Sequence, residues 1–373
     1  NVPPISTASF ALPDIAFPAL MLVWILITVM VSPNRSMNRG SNTPGVKGKG
    51  EMKAIYCVKL ADWPALEMRD ISAPSPGAGE VLVRNEAWGV NYVDYLMCQG
   101  GYQLRPDPPF VPGLESAGRI VATGPDVGAF DVGERVMAAH RPGGFAEETV
   151  VAEQQLIKMP DAMEMTAAAG FRSAFITAYH GLVQGGHLQA GETALIHGAG
   201  GGMGHAAVQV ARLLGARVIA TATGSEKHEV LRTLGADHTL EYRDGFRDAV
   251  KDLTDGRGAD VIFDPVGGDT FDETMRCLNW GARVVIVGFT AGRPALAKTN
   301  HILIKGASVT GIRAGEFGRR NPVEAEANLE VLLDWAGAGK IAPYISHRFP
   351  LEGVEDAFRA IADRQVIGKT VLI

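Results

Sequence analysis

From residue 52 onward the apolar positions fall into two rhythms. Over 52–172 they come as short β-type runs: MKAIYCVK from Met52, VLVRNEAWGV at 81–90, SAGRIVATG at 116–124 and ERVMAAH at 134–140. Between them stand APSPGAGE, RPDPPFVPG and GPDVGAFDVG, where Pro, Gly and Asp supply turns. Short strands with dense turns predict an irregular barrel or sandwich. From about Ser173 the rhythm becomes strand–helix alternation. ETALIHGAGGGMG leads into HAAVQVARLLGA, a helical pattern with Val208, Leu213 and Leu214 among its apolar positions. RVIATAT is the next strand, and ADVIFDPVGG and ARVVIVGF are later hydrophobic runs that meet glycine. This alternation predicts a parallel sheet with helices on both faces. It ends near SVTGI at 308–312, and a helix-rich tail over 320–373 closes on the strand-like KTVLI.

The first fifty residues follow neither rhythm. Ile15 to Val31 carries no charge and is at the short limit for a membrane-spanning helix. Asp14 precedes it and Arg35, Arg39, Lys47 and Lys49 follow, the reverse of a cleaved signal peptide. Three readings stand side by side: a start assigned too far upstream or an added leader, a membrane anchor, and an apolar segment packed on the rest. The expected division is 1–51 as leader or anchor outside the fold, then 52–172, 173–312 and 313–373.

Composition narrows the function classes. The 373 residues hold 35 Lys+Arg against 41 Asp+Glu, a net charge of −6, which excludes the basic footprint of a nucleic-acid binder. With 46% hydrophobic and 20% charged residues, the chain is not globally disordered. The 45 glycines follow no three-residue repeat, so they need local explanations. Cys57, Cys98 and Cys277 are too few for a disulfide framework or a cysteine-rich zinc lobe, and they suit the reducing cytoplasm.

The strongest local signal is Ala199-Gly200-Gly201-Gly202-Met203-Gly204, between a predicted strand and a predicted helix. Small residues there allow a tight turn and close approach of a pyrophosphate, whose charge the helix N-terminus stabilises. An NAD site usually places an acid near the end of the second strand, to hold the ribose hydroxyls. Here Ala222 and Thr223 occupy that place, Ser225 and Lys227 follow, and Tyr242 and Arg243 come after the next strand. A hydroxyl and an ammonium suit a 2′-phosphate. NADPH is therefore expected over NADH, with nearby Glu226 the one feature against it.

The run from Met52 to Ile373 resembles the medium-chain dehydrogenase/reductase superfamily, and within it the zinc-independent NADPH:quinone oxidoreductases. The resemblance rests on GVNYVDYLMCQGGY (89–102), PFVPGLESAGRIVATGPDVGAFDVGERV (109–136), GGFAEETVV (143–151), TALIHGAGGGMG (193–204) and VIFDPVGG (261–268). It implies an α/β chain with a GroES-like β-barrel catalytic domain, a Rossmann domain with a doubly wound parallel sheet, and a return of the chain to the first domain. It also implies that zinc ligands are missing. Asn91 stands where zinc members have cysteine, Leu114 where they have histidine, and Ser173 or Ala174 near their third ligand. Val93 replaces a hydroxyl proton relay. Without a Lewis acid for a developing alkoxide, the fitting acceptors are a quinone or an alkene conjugated to a carbonyl.

The site residues that the resemblance implies are Asn91 beside the nicotinamide ribose and Tyr102 on the substrate side, its hydroxyl orienting or protonating an oxyanion. Asp94 is implied as a supporting acid. Val266, Gly267 and Phe289 are implied against the nicotinamide, and Lys369 in the closing segment at the cofactor. Three functions stand: reduction of a quinone, reduction of an acrylate-like or enone alkene, and non-enzymatic nucleotide binding. The strand near Ser308–Ile312 is expected to be a sheet edge that joins two copies in a homodimer through Val309 and Thr310.

Overall fold

The computed structural model describes residues 50–373; the apolar stretch 15–31 and its three readings lie outside the described residues. Among the described residues no helix is long and apolar enough to cross a membrane.

The first lobe is built from β1 (Glu51–Lys59), β2 (Ala65–Ser72), β3 (Glu80–Val90), β4 (Glu115–Thr123), β5 (Arg135–Ala139), β6 (Glu148–Ala152) and β7 (Leu156–Lys158). β1 and β2 form an antiparallel pair. The others join a mixed sheet in the order β14-β15-β3-β4-β5-β7, with β6 on β3. Its last members, β14 (Ile345–Phe349) and β15 (Lys369–Leu372), arrive from the far end of the chain. β15 lies antiparallel to β3, with Thr370 opposite Val90. In the middle of the EVLVRNEAWGV strand, Val83, Asn85 and Ala87 are buried while Arg84 and Glu86 face water, the alternation of a half-buried strand, and both faces are covered toward its C-terminal end. α1 (Tyr92–Gln99) follows β3 directly, and Cys57 of β1 meets it, with Sγ 3.9 Å from the Cys98 carbonyl.

The second lobe is a six-stranded parallel sheet in the order β10-β9-β8-β11-β12-β13. Its strands are β8 (Thr193–Ile196), β9 (Arg217–Ala222), β10 (His238–Glu241), β11 (Ala259–Asp264), β12 (Leu278–Ile286) and β13 (Ser308–Gly311). The order reverses between β8 and β11, where doubly wound sheets open a ligand crevice. Its helices are α3 (Gly202–Leu213), α4 (Ser225–Thr233), α5 (Arg247–Leu253), α6 (Gly268–Thr274) and α7 (Thr299–Lys305). Both faces of the sheet are covered, so Leu195, Ile196, Ile219, Val261, Ile262 and Phe263 are all enclosed. α3 buries Ala206, Ala207, Val208, Val210 and Ala211, whereas Leu213 turns outward at 38% exposure. Among the described residues β13 is an edge strand, paired with β12 alone.

α2 (Met165–His180) joins the two lobes and runs through residues 172 and 173 without a break. It packs on β3 and β4 on one side and α3 on the other. Ala168, Ala169, Gly170, Ala174 and Ala178 keep its surface small enough for that double approach. A Cβ on Gly89 would stand 2.1 Å from the Ala169 carbonyl oxygen. After β13 the chain continues through α8 (Ala314–Arg320), α9 (Pro322–Gly337) and α10 (Val354–Ala362) before closing on β15.

Candidate active site

Three groups of side chains line the junction of the lobes. The first gathers at Glu115, the opening residue of β4. Its Oε1 accepts from Lys369 Nζ (2.7 Å) and Asn91 Nδ2 (2.9 Å), and its Oε2 accepts from the Ser173 backbone (2.9 Å). Lys369 Nζ also donates to Asn91 Oδ1 at 2.7 Å. Both charged side chains of this ion pair are only 2% exposed. The ammonium of Lys369, expected at the cofactor, is thus committed within the protein. A buried carboxylate needs that partner more than a solvated ligand does. The aliphatic stem nevertheless lies under the glycine loop, where a Cβ on Gly202 would sit 3.1 Å from Lys369 Cδ. The loop is tied there again by Gly368 N–H donating to the Gly200 carbonyl (2.8 Å).

Asn91 turns the chain from β3 into α1, and Asp94, within the first turn, accepts its backbone N–H at 2.8 Å. Asp94 Oδ1 has no hydrogen-bond partner among the described residues. Burial, reinforced by the charge of Glu115, pushes its carboxyl up to about 7. The fold therefore favours the protonated form. That contribution is complete below the ordinary value of 3.8 and is lost as pH rises through about 7. Asp94→Asn keeps the acceptor and removes the titration. The stability gap in favour of the variant is expected to widen by roughly 2–4 kcal/mol as pH rises across that window. Denaturant midpoints of both proteins across it are the check; a constant gap would contradict the raised value.

The second group frames the glycine loop. No side chain caps α3, so the amides of its first turn remain available to an anion. The last glycine packs against the strand end: a Cβ on Gly204 would lie 2.3 Å from the Gly198 carbonyl oxygen. Lys227 lies across the loop, its Cδ 2.8 Å from where a Gly200 Cβ would stand, and its Nζ donates to the Arg364 carbonyl at 2.6 Å. Arg364 Nη1 donates to the Tyr242 hydroxyl at 3.3 Å. Burial, with the charges of Arg364 and Arg243 nearby, holds the Lys227 ammonium below the ordinary lysine range. Ser225 opens α4 beside them and is exposed. The shape and charge fit a dinucleotide phosphate. Glu241 is tied into this turn, accepting from the backbones of Gly224 (3.0 Å) and Arg243 (3.3 Å).

The third group stands at the ends of β11 and β12. Val266 and Gly267 donate their backbone N–H groups to Asp264 Oδ1 at 2.8 and 2.9 Å, which fixes the turn. Phe289, 46% exposed, closes on Gly267, where a Cβ would lie 2.9 Å from its ring. Tyr102 follows α1 in a loop, and its hydroxyl makes no hydrogen bond to Asn91, Lys369 or Glu115. A depression of about 660 Å³ lined by Asp244, Arg247, Asp272, Lys298 and His301 contains none of these residues.

Residue-level reading of the sequence missed four members. Glu115 was visible only as part of a motif, although it is the hub. Arg364 reaches the nucleotide lobe from the return segment through a left-handed backbone (φ 58°), which nothing in D-R-Q announces. Arg172 and His140 lie close enough to Glu115 for their charges to interact with it. His140 Nε2 is 2.8 Å from Ser116 Oγ, and burial, then the charge of Arg172, pulls its imidazole down to about 4, so it is neutral. His197 and His205 are enclosed core histidines held down by burial, to about 3 and about 4. Among the described residues no group of three His, Cys, Asp or Glu side chains is arranged to hold a metal ion.

Residues 77–161 match the alcohol dehydrogenase GroES-like domain, and residues 202–330 match the zinc-binding dehydrogenase family. The chain belongs to the medium-chain dehydrogenase/reductase superfamily of oxidoreductases, in its zinc-independent quinone oxidoreductase family. It is 36% identical to the quinone oxidoreductase-like protein 2 homolog of Nematostella vectensis, over 87% of this chain and 90% of that one. It is 33% identical to a 2-haloacrylate reductase of Burkholderia sp, over 82% and 93%. Mycobacterial Rv1454c, solved in complex with NADPH, superposes with a TM-score of 0.79 at 30% identity, over 86% of this chain and 99% of that one.

Proposed function

We propose that the chain binds NADPH and reduces a quinone by metal-independent hydride transfer. The observation that carries this reading is the join between the glycine loop and the Asn91–Glu115–Lys369 cluster, through the stem of Lys369 and the Gly368–Gly200 hydrogen bond. Ala199 to Gly204 and the α3 N-terminus would hold the pyrophosphate; Lys227, Arg364, Tyr242 and Ser225 would hold the 2′-phosphate; Val266, Gly267 and Phe289 would flank the ring. When bound, NADPH supplies the hydride, and the chain supplies orientation and exclusion of water. Asn91 has one Nδ2 proton beyond that given to Glu115, free to meet an acceptor oxygen. Tyr102 would close the substrate side. Asn91 and Leu114 offer no zinc ligation, which favours acceptors whose reduced anion is delocalised.

A second reading, reduction of an acrylate-like or enone alkene, is favoured by the likeness to the 2-haloacrylate reductase. A third, nucleotide binding without catalysis, is removed by turnover of any acceptor. NADPH consumption against quinones, enones and substituted acrylates decides among the three. The quinone reading predicts the highest kcat/KM with a quinone, and turnover confined to the alkenes would replace it with the second.

Three buried thiols with no disulfide suit a cytoplasmic location. A homodimer through the β13 edge belongs to the same proposal. Trp280, packed beside Gly306, and Leu303 and Ile304, on the helix leading into β13, are 75%, 80% and 66% exposed. Apolar side chains beside an edge strand suit pairing with a second copy. Light scattering is expected to show a dimer, and Val309→Pro, with unchanged circular dichroism, to shift it toward monomer. A monomeric native chain at micromolar concentration would contradict the edge pairing.

A further inference from the structure

We infer that His205 is a positioning residue for the cofactor: its imidazole fixes the Gly201–Gly202 peptide and so aims the Gly202 amide at the pyrophosphate. Three glycines in a row, Gly200 to Gly202, let a ligand come close to the backbone. The same absence of side chains leaves the orientation of their peptides to hydrogen bonds from elsewhere. Gly368 N–H holds the Gly200 carbonyl (2.8 Å). His205 holds the Gly201 carbonyl with two donors, its backbone N–H (3.0 Å) and its ring Nδ1 (3.2 Å). The carbonyl and N–H of a trans peptide point in opposite directions. Holding the Gly201 oxygen from within α3 therefore turns the Gly202 N–H toward the open N-terminal end of the helix. The N–H groups of Gly202, Met203 and Gly204 donate to no group among the described residues.

His205 is 1% exposed, and its ring stands edge-on to Phe175 of α2, with centroids 5.9 Å apart. Burial holds the ring neutral, so it has one N–H to place. A carbonyl oxygen can only accept, so that proton is on Nδ1 and Nε2 keeps a bare lone pair. Nε2 is shut off from water and has no hydrogen-bond partner among the described residues. An enclosed acceptor without a donor costs stability, and a packed apolar side chain in its place would not. Packing against Phe175 therefore gives no reason for a histidine here. The Nδ1 bond to the glycine loop does.

This role rests on the reading of the glycine loop as the pyrophosphate site. The pyrophosphate is common to NADPH and NADH, so His205 serves both alike, unlike Lys227 and Arg364. One substitution then has two separable effects. His205→Leu removes the orphaned acceptor, whose cost is at least as large as the contribution of the Nδ1 bond, so stability is kept or raised. It also releases the Gly201 carbonyl from its second donor. The peptide must then be ordered when the ligand binds, and affinity falls. His205→Asn places Nδ2 one bond beyond Cγ, as Nδ1 is, and returns the donor without Nε2.

The test is calorimetric titration of the full chain and both variants with NADPH, NADH and adenosine 2′-phosphate, beside denaturant unfolding without ligand. Adenosine 2′-phosphate lacks the pyrophosphate and probes the Lys227 and Arg364 end alone. His205→Leu is expected to weaken NADPH and NADH by the same factor, about fivefold or more, and to leave adenosine 2′-phosphate within about twofold. Its unfolding midpoint should equal or exceed the native one. His205→Asn should return both cofactors to within about twofold of native affinity. A His205→Leu chain that binds NADPH as the native chain does would overturn the role. So would a loss confined to NADPH, or a less stable His205→Leu chain whose lost affinity His205→Asn does not recover, since the ring would then serve the 2′-phosphate or the packing. A native chain that binds NADPH no more tightly than adenosine 2′-phosphate would instead remove the reading of the glycine loop on which the role rests.

Discussion

Replacing Lys369 with methionine is expected to destabilise the chain by about 3–5 kcal/mol, the largest effect of any single change near the cleft. The substitution removes the one cation hydrogen-bonded to enclosed Glu115 among the described residues, leaving Asn91 Nδ2 and the Ser173 amide as its hydrogen-bond partners. It also frees Asn91 Oδ1, so the turn from β3 into α1 loses a tie to β15. The companion change Glu115→Gln removes the stranded charge. The double variant should therefore recover most of the loss, which is the signature of a buried pair rather than of lost packing. Denaturant unfolding of the native chain, both single variants and the double variant checks this. A Lys369→Met cost below about 1 kcal/mol would mean that water reaches the pair.

The second large effect concerns cofactor choice. Lys227→Ala combined with Arg364→Ala is expected to weaken NADPH by about a hundredfold and to leave NADH within about threefold, because two charge-assisted contacts to the 2′-phosphate are removed. The turn at Arg364 is held by backbone bonds that neither substitution removes, from Arg364 N–H to the Ile361 carbonyl (3.1 Å) and from Gln365 N–H to the Ala360 carbonyl (2.9 Å). The two side chains share one ligand group, and their single effects are not expected to add. Fluorescence titration with both cofactors is the check, and an equal loss for NADPH and NADH would place the pair outside the phosphate site.

What was legible in the sequence follows from range. The glycine loop could be read because strand, turn and helix are adjacent, and the small residues that it needs are visible in A-G-G-G-M-G. The parallel sheet could be read because doubly covered strands are continuous apolar runs, as in VIFD. The edge position of β13 followed from its being the last strand of the alternation. The hub of the cleft could not be read this way. Lys369 and Glu115 are 254 residues apart, and their meeting depends on β15 returning to pair with β3. The resemblance puts Lys369 at the cofactor; β15 brings its ammonium to Glu115 and its stem beneath the glycine loop. Arg172 was invisible for the opposite reason. An arginine in a helix reads as a solvated residue unless the packing on both sides of that helix is known, and α2 is packed on both sides. Tyr102 is placed on the substrate side by its motif alone, since no hydrogen bond ties its hydroxyl to Asn91 or Lys369 among the described residues.

Metal-independent hydride transfer from NADPH is tested most directly by NADPH oxidation with para-benzoquinone, using protein exhaustively treated with a chelator and assayed for zinc by elemental analysis. The residues at 91 and 114 predict undiminished turnover at negligible zinc content. Loss of turnover on chelation, restored by added zinc, would contradict the account.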